Sequence, residues 1–148
     1  SQINVAGHRL STGAIEEVLA AHDAVAEAAV VGAADDIKGQ VPVGLIVLRD
    51  DVASLSTDGD DVGTRVVAEA VALVRSQVGA VAAFKQAAVV EALPKTRSGK
   101  TLRGIIQCVA DGLPYILPGT IEDASAVQKV EAALRSIDYP RRGKEQGS

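Results

Sequence analysis

Large side chains are scarce in this sequence. Its 148 residues include two Tyr, one Phe, no Trp and no Met. We therefore expect a core of small side chains, mainly Ala and Val, packed in close contact. The shortage of rings for base stacking, together with a formal net charge of −4, argues against a nucleic-acid partner. Because Met is absent and the chain opens on a strand-like run, we expect a fragment of a longer protein that carries only part of an active site.

Cysteine is nearly absent as well. The lone Cys108 can form no internal disulfide, and its place in an apolar helical pattern predicts a small buried side chain. This composition is compatible with a reducing compartment, and we predict a cytoplasmic protein. No apolar run is long enough to span a bilayer, so no membrane partner is expected.

Metal-ligand patterns are also missing. His8 has no second His, Cys or acid at a ligand-like spacing. The acidic stretch 54–61 lacks the glutamate that an EF-hand loop needs at its twelfth position, and it is interpreted as a surface loop. His22 falls at the end of a helical face, which favours a solvated or capping role. We predict no metal site.

Hydrophobic periodicity predicts an α+β fold with a small three-stranded sheet flanked by helices, plus a short N-terminal strand. The predicted strands are residues 3–6, 25–32, 41–48 and 84–93, and Gly7, His8 and Arg9 form the turn after the first. The third strand is apolar on both faces, which predicts cover on both sides, although Pro42 favours an edge or entry position.

The sequence also predicts four helices. Ser11 or Thr12 is the predicted N-cap of a first helix, in which Glu16 suits the positive end of the macrodipole. Further helices are predicted over 67–78, over 102–109 and after Asp123, and residues 115–120 form an irregular arm. We predict one domain over 1–139 and a disordered tail over 140–148, because the tail has no apolar anchor.

One stretch concentrates positive charge in this acidic chain. Lys95, Arg97, Lys100 and Arg103 fall within nine positions, between the last predicted strand and a helix. A cationic strand-to-helix loop suits an anion, although a solvated loop without function gives the same pattern. Gly99-Lys100-Thr101 matches the second half of a P-loop, but Pro94 stands where the first glycine belongs. Proline lacks the N–H that a phosphate cradle uses, which argues against the P-loop.

A second pattern fits better. The run Pro94-Lys95-Thr96-Arg97-Ser98-Gly99-Lys100, followed by Arg103, resembles the C-terminal lysine motif of adenylate-forming enzymes. Within that group it is similar to AMP-forming short-chain acyl-CoA synthetases of the acetyl-CoA and propionyl-CoA type. The segment 3–12 resembles the part that follows the family's hinge, and the residues 112–115 and 120–123 lean towards the propionyl-CoA enzymes.

The resemblance implies a mobile C-terminal catalytic domain whose N-terminal partner domain holds most of the pocket. ATP with Mg²⁺ and a short-chain carboxylate would give an acyl-adenylate, which CoA then converts to a thioester. A fragment alone would be inactive. The family's hinge aspartate belongs at or just before position 1, where Ser1 and Gln2 stand, so no residue here is assigned the hinge role.

Four residues acquire roles from the resemblance. Lys100 matches the adenylation lysine, which protein acetyltransferases modify in this family and deacetylases restore. Arg9 matches a residue that reaches the nucleotide phosphates. Gly7 lies where the pantetheine arm of CoA passes, and Arg75, by its spacing to Lys100, matches an arginine near the CoA 3′-phosphate. Gly7 as a turn glycine, and Arg9 and Arg75 as surface charges, remain open alternatives.

Two other functions stay open at this point. One is a P-loop-like nucleotide hydrolase, which would turn over ATP without a second domain. The other is a small anion-binding regulatory module, whose ligand binding would survive Lys100→Ala.

Overall fold

The computed structural model describes residues 2–53 and 61–140. The predicted acidic loop and C-terminal tail lie outside these residues, apart from Asp61, which begins a helix, and Pro140. The strands are β1 (Gln2–Val5), β2 (His8–Ser11), β3 (Val25–Asp35), β4 (Gly39–Leu48) and β5 (Gln86–Val89). The α-helices are α1 (Thr12–Ala20), α2 (Asp50–Ala53), α3 (Asp61–Gln77), α4 (Arg103–Asp111) and α5 (Ser125–Ser136), and a 3₁₀ turn covers Ala80–Ala82.

Strand β4 is at the centre of a mixed sheet. It pairs antiparallel with β3 over its whole length, and on its other side it pairs parallel with β5 from Val43 to Ile46. The hairpin of β1 and β2 joins that same side through the pair Val5 and Gly39. The α+β class is confirmed, and β3, β4 and β5 form the predicted three-stranded part.

Two details of the predicted sheet are wrong. Residues His8 and Arg9 belong to strand β2, not to a turn, because the turn is only two residues long. Pro42 lies inside the central strand, not at an edge. Proline has no N–H to donate to a neighbouring strand. On the side of β4 away from β3, pairing with β1 is at Gly39 and pairing with β5 begins only at Val43, so no strand lies beside Pro42 to accept from it.

Helices cover both faces of the sheet, as predicted for the third strand. On one face, Val30 and Ile46 pack with Ile15 of α1 and Val74 of α3. On the other face the core joins the sheet to α4 and α5, through Ala29, Val31, Leu45, Ile106, Val130 and Leu134. Neighbouring strand residues thus enter opposite cores, and most of the buried side chains are Ala or Val.

Close packing requires a glycine where β4 passes the single phenylalanine. Phe84 is 5% exposed, and its ring lies against the backbone of Gly44. An added Cβ at Gly44 would lie 2.9 Å from Phe84 Cζ and 3.1 Å from Cε1. The glycine therefore leaves room for the ring.

Gly44→Ala should lower the free energy of unfolding by about 1–3 kcal/mol, because the methyl group overpacks a close-packed core. The measurement is urea unfolding of the chain followed by far-UV circular dichroism. Gly104→Ala is the matched control, since no atom lies within 4 Å of its added Cβ. In helix α4 that change should raise stability by about 0.5–1 kcal/mol. Equal stability of Gly44→Ala and the unaltered chain would contradict the packing described here.

Candidate functional site

The lysine loop, residues 94–103, is a small hairpin closed by its own hydrogen bonds. Lys95 and Thr101 form an antiparallel bridge. The N–H of Thr96 donates to the carbonyl of Lys100 at 2.9 Å, and the N–H of Lys100 donates to Thr96 Oγ1 at 3.1 Å. Gly99 turns the chain with φ of 93°, and its N–H donates to the Thr96 carbonyl at 2.8 Å. The backbone on either side of Lys100 is thereby fixed.

The irregular arm after α4 returns to this loop and adds a third short strand. Thr96 and Ile121 form an antiparallel bridge. The N–H of Arg97 donates to the carbonyl of Thr120 at 2.9 Å, and the N–H of Glu122 donates to the carbonyl of Lys95 at 2.8 Å. The loop and the arm, two segments that the sequence singled out separately, therefore form one unit.

Only half of the predicted cationic cluster is free. Arg103 donates from Nε to Glu16 Oε2 at 2.8 Å and from Nη2 to Glu16 Oε1 at 2.6 Å. These hydrogen bonds raise the pKa of the Arg103 guanidinium further above neutrality. Lys95 forms an ion pair with Glu27 on β3. The interpretation of all four cations as an anion site is wrong for Lys95 and Arg103, because acids distant in sequence neutralise them.

Arg97 and Lys100 are the two cations that remain. Both are exposed, and among residues 2–53 and 61–140 neither side chain has a hydrogen bond or ion pair. An ammonium without a protein partner, carried on a fixed backbone, is available to an anion from outside the chain. The adenylation role of Lys100 stays a prediction, with which this exposed ammonium is compatible.

The segment with Gly7 and Arg9 forms a tight hairpin. Ala6 and Gly7 have φ of 50° and 87°, which is the left-handed pair that a two-residue turn of type I′ requires. No atom lies within 4 Å of a Cβ built at Gly7, so the surface above the turn is open. Arg9 is exposed on β2, opposite Asn4. The N–H of Ala6 donates to the carbonyl of Lys38 at 2.8 Å, which holds the turn beside the β3–β4 connection.

Arg75 lies in the last turn of α3 and is exposed, as expected. It lines a small cavity of about 20 Å³ together with Gly79, Phe84 and Lys85. Lys85 is a second exposed cation at this place, which the sequence reasoning did not connect with Arg75. Arg9, Arg75 and Lys100 lie on three separate segments, which are β2, the last turn of α3 and the lysine loop.

Other titratable groups have structural partners. His22 lies just past the end of α1, as predicted, but its ring is neither solvated nor a cap of that helix. Its Nε2–H donates to Glu69 Oε1 on α3 at 2.7 Å, and its Nδ1 accepts the N–H of Ala24 at 3.0 Å. Hydrogen bonds from the Ser125 hydroxyl and N–H lower the pKa of Asp123 at the start of α5. A hydrogen bond to Glu131 raises the pKa of the Tyr115 phenol in the arm. Cys108 is half-buried, so its predicted burial is wrong in degree.

Residues 14–100 match the family described as the AMP-binding enzyme C-terminal domain. The chain belongs to this family. Arg75 lies within the matched range and Lys100 ends it, whereas Gly7 and Arg9 precede it. The resemblance drawn from the lysine loop is confirmed.

Relatives of this AMP-binding enzyme C-terminal domain are short-chain acyl-CoA synthetases. Human "acyl-CoA synthetase short-chain family member 3, mitochondrial" is 47% identical over 133 residues, which are 90% of this chain and 18% of that protein. "Acetyl-coenzyme A synthetase 2" of Debaryomyces hansenii is 42% identical over 138 residues, 92% of this chain and 20% of that protein. The chain spans about a fifth of the length of the curated relatives it matches.

Solved structures agree with this assignment. The crystal structure of Brucella canis acyl-CoA synthetase overlaps 72% of this chain and 18% of its own, with a TM-score of 0.61 and 30% sequence identity. Within the described part of this domain, no helix is both long and apolar enough to cross a membrane.

The sequence does not reveal the acids that pair with this domain's lysine loop. Glu16 was interpreted as a partner of the α1 macrodipole, and Glu27 received no role. A signal was present only in part: Glu16 directly follows the buried Ile15 and precedes the buried Leu19 by three positions, at the border of the buried face of α1, where an acid is expected to have a partner. Its partner Arg103 is 87 residues away, which no local pattern reveals.

Proposed function

We propose that this domain acts within an AMP-forming short-chain acyl-CoA synthetase. In that reaction the carboxylate of acetate or propionate attacks the α-phosphorus of ATP, the bond to pyrophosphate breaks, and an acyl-adenylate forms. The CoA thiolate then attacks the acyl carbon, and AMP leaves. The observation that carries the proposal is the free Lys100 ammonium on a loop whose backbone is fixed by its own hydrogen bonds.

Lys100 would act in the first step. Negative charge from the attacking carboxylate and from the α-phosphate converges in the transition state, and an ammonium placed between them stabilises both. The backbone is already ordered, so the positioning needed for such stabilisation exists before the substrates arrive. Mg²⁺ would enter with ATP as part of the substrate.

The nucleotide pocket would belong mainly to an N-terminal partner domain of the same enzyme. Lys100 is exposed and does not line the cavities of about 160 and 420 Å³ that this domain contains. An exposed catalytic lysine gains a water-excluded environment only when another surface closes over it. The length of the relatives, about five times that of this chain, supports such a partner.

Gly7 and Arg75 would serve the second step. The open surface at the Gly7 turn leaves space for the slender pantetheine arm. Arg75, in a cationic setting with Lys85, would bind the CoA 3′-phosphate, and Arg9 would contact the nucleotide phosphates.

Lys100 would also be the point of regulation. Acetylation removes the ammonium charge, so the enzyme would lose its first step until a deacetylase restores the lysine. Exposure of Lys100 supports access by an acetyltransferase.

Two finer expectations remain predictions. The residues 112–115 and 120–123 favour propionate over acetate, although the carboxylate pocket would be in the partner domain. The cytoplasmic location is likewise a prediction, and the human relative is named as a mitochondrial protein.

Lys100→Ala in the full enzyme should reduce acyl-adenylate formation by at least about 10²-fold, because a preorganised charge facing the transition state is lost. Thioester formation from supplied acyl-adenylate should change little. Both half-reactions are measured separately, by pyrophosphate release and by thioester absorbance. Lys129→Ala, which removes a partly exposed lysine that pairs with Glu91 and lies on α5, away from the lysine loop in the sequence, is the control. Equal loss of both half-reactions would refute the role assigned to Lys100.

Arg75→Glu should raise the KM for CoA at least tenfold and leave the KM for ATP nearly unchanged, since it places a negative charge beside a phosphate. Steady-state kinetics with each substrate varied in turn gives both constants. Arg65→Glu makes the same charge change at another exposed position of α3 and should affect neither constant. An unchanged KM for CoA would mean that Arg75 is a surface charge with no role in CoA binding.

A calorimetric titration of this chain with MgATP separates the proposal from the two alternatives. The N–H groups of Thr96, Gly99 and Lys100 are already bonded within the loop, so they cannot cradle phosphate as a P-loop does. We therefore expect no binding, or weak binding that moderate salt removes. Micromolar binding would favour a P-loop-like hydrolase, and binding that survives Lys100→Ala would favour a regulatory module.

A further inference from the structure

Helix α4 begins without a capping side chain. Its N-cap is Leu102, which offers no hydrogen-bond acceptor to the first turn. Arg103 is the first helical residue and follows Lys100 by three positions, so the direction of the chain at Arg103 determines where the lysine loop lies. In place of a cap, the fork of hydrogen bonds from Arg103 to Glu16 fixes this point of the chain.

Glu16 connects three elements. The carboxylate belongs to α1, accepts from Arg103 at the start of α4, and also accepts the N–H of Val30 on β3 at 2.8 Å through Oε2. The Glu16 side chain is 15% exposed, against 42% for Arg103. A carboxylate that is this well buried and held by three hydrogen bonds has little freedom to move.

The other end of the lysine loop is also tied to β3. Lys95 pairs with Glu27, three residues before Val30, and these side chains are 25% and 39% exposed. One end of the loop is thus attached to β3 by the Lys95–Glu27 ion pair, and the other is attached to α1 by the Arg103–Glu16 ion pair, whose carboxylate also accepts from β3. The two cations between them, Arg97 and Lys100, have no ion pair in the described part of the chain. The Glu16 carboxylate is more buried than that of Glu27, and it accepts two hydrogen bonds from Arg103, so the Glu16 pair holds more strongly.

We propose that Glu16 and Arg103 are positioning residues that hold Lys100 in place for adenylation, and we call this pair the clamp. Neither touches the reacting atoms; both act through the backbone of the lysine loop. The inference rests on the adenylation role proposed for Lys100. Loss of the pair would leave the ammonium present but poorly placed, and misplacement of a catalytic group by about 1 Å reduces rate by about 10²-fold.

The first test follows amide hydrogen exchange in this chain. The N–H groups of Thr96, Gly99, Lys100 and Leu102 are all hydrogen-bonded within the loop. In Arg103→Gln their exchange should accelerate at least tenfold, while exchange in α5 stays unchanged. Arg97→Gln removes the same charge from the same loop but no ion pair, so exchange there should remain slow. Unchanged exchange in Arg103→Gln would overturn the clamp.

The second test compares half-reactions in the full enzyme, at a temperature where thermal melts show each variant folded. Arg103→Gln should slow acyl-adenylate formation by about 10²-fold through kcat, with thioester formation from supplied acyl-adenylate nearly unchanged. Arg103→Lys keeps the charge but lacks the planar fork, so it should recover only part of the rate. A merely structural role would slow both half-reactions together, and that result would refute the proposal.

The third test is a double-mutant cycle of Glu16 and Arg103. Glu16→Gln keeps an acceptor for Val30 and should slow adenylation as Arg103→Gln does. Combined, the two changes should lose little more than either alone, because they remove one shared interaction. Fully additive losses would contradict the clamp. Normal adenylation by Lys100→Ala would instead refute the proposed function, whereas unchanged amide exchange refutes the clamp even if Lys100 is essential.

Discussion

The double cover of the β3–β4 pair is the constraint on which the placement of the other elements depends. Successive residues such as Val30 and Val31 enter different cores, so each face of the sheet needs its own helices. Helices α1 and α3 satisfy one face, and α4 and α5 satisfy the other. The lysine loop leads into α4, and its position follows from where that helix must pack.

The same packing of helices on the sheet brings acids to two of the four cations of the lysine loop. Glu16 and Glu27 approach the loop from α1 and β3, and each neutralises one cation. A loop with four unpaired cations would repel itself and attract anions without selectivity. With two cations paired, the field is concentrated at Arg97 and Lys100. An acidic chain can thereby carry a local positive site that its net charge of −4 does not suggest.

Much of this structure was predictable from the sequence. Hydrophobic periodicity, together with the glycines and prolines that end helices and strands, predicted α1, α4 and α5 and the strands β3 to β5. Ser11 caps α1 by accepting the N–H of Ala14 at 3.2 Å, as expected. The lysine loop was recognisable because its motif is local. Strand β2 was missed since Ala6-Gly7 is a weak turn signal, and its positive φ at Ala6 is unusual for a residue with a side chain. The ion pairs were missed because tertiary packing, not sequence spacing, brings Glu16 to Arg103.

The closed hydrogen bonding of the lysine loop has an entropic consequence. Ordering a backbone residue costs roughly 1–2 kcal/mol, and a loop that became ordered only on meeting its substrates would lose several times that amount of binding energy. Here the folding of the domain has already fixed the backbone from Thr96 to Leu102. Only the rotamers of the Lys100 side chain remain to be restricted, at about 2 kcal/mol. The loop can therefore leave one surface and meet another repeatedly without refolding each time.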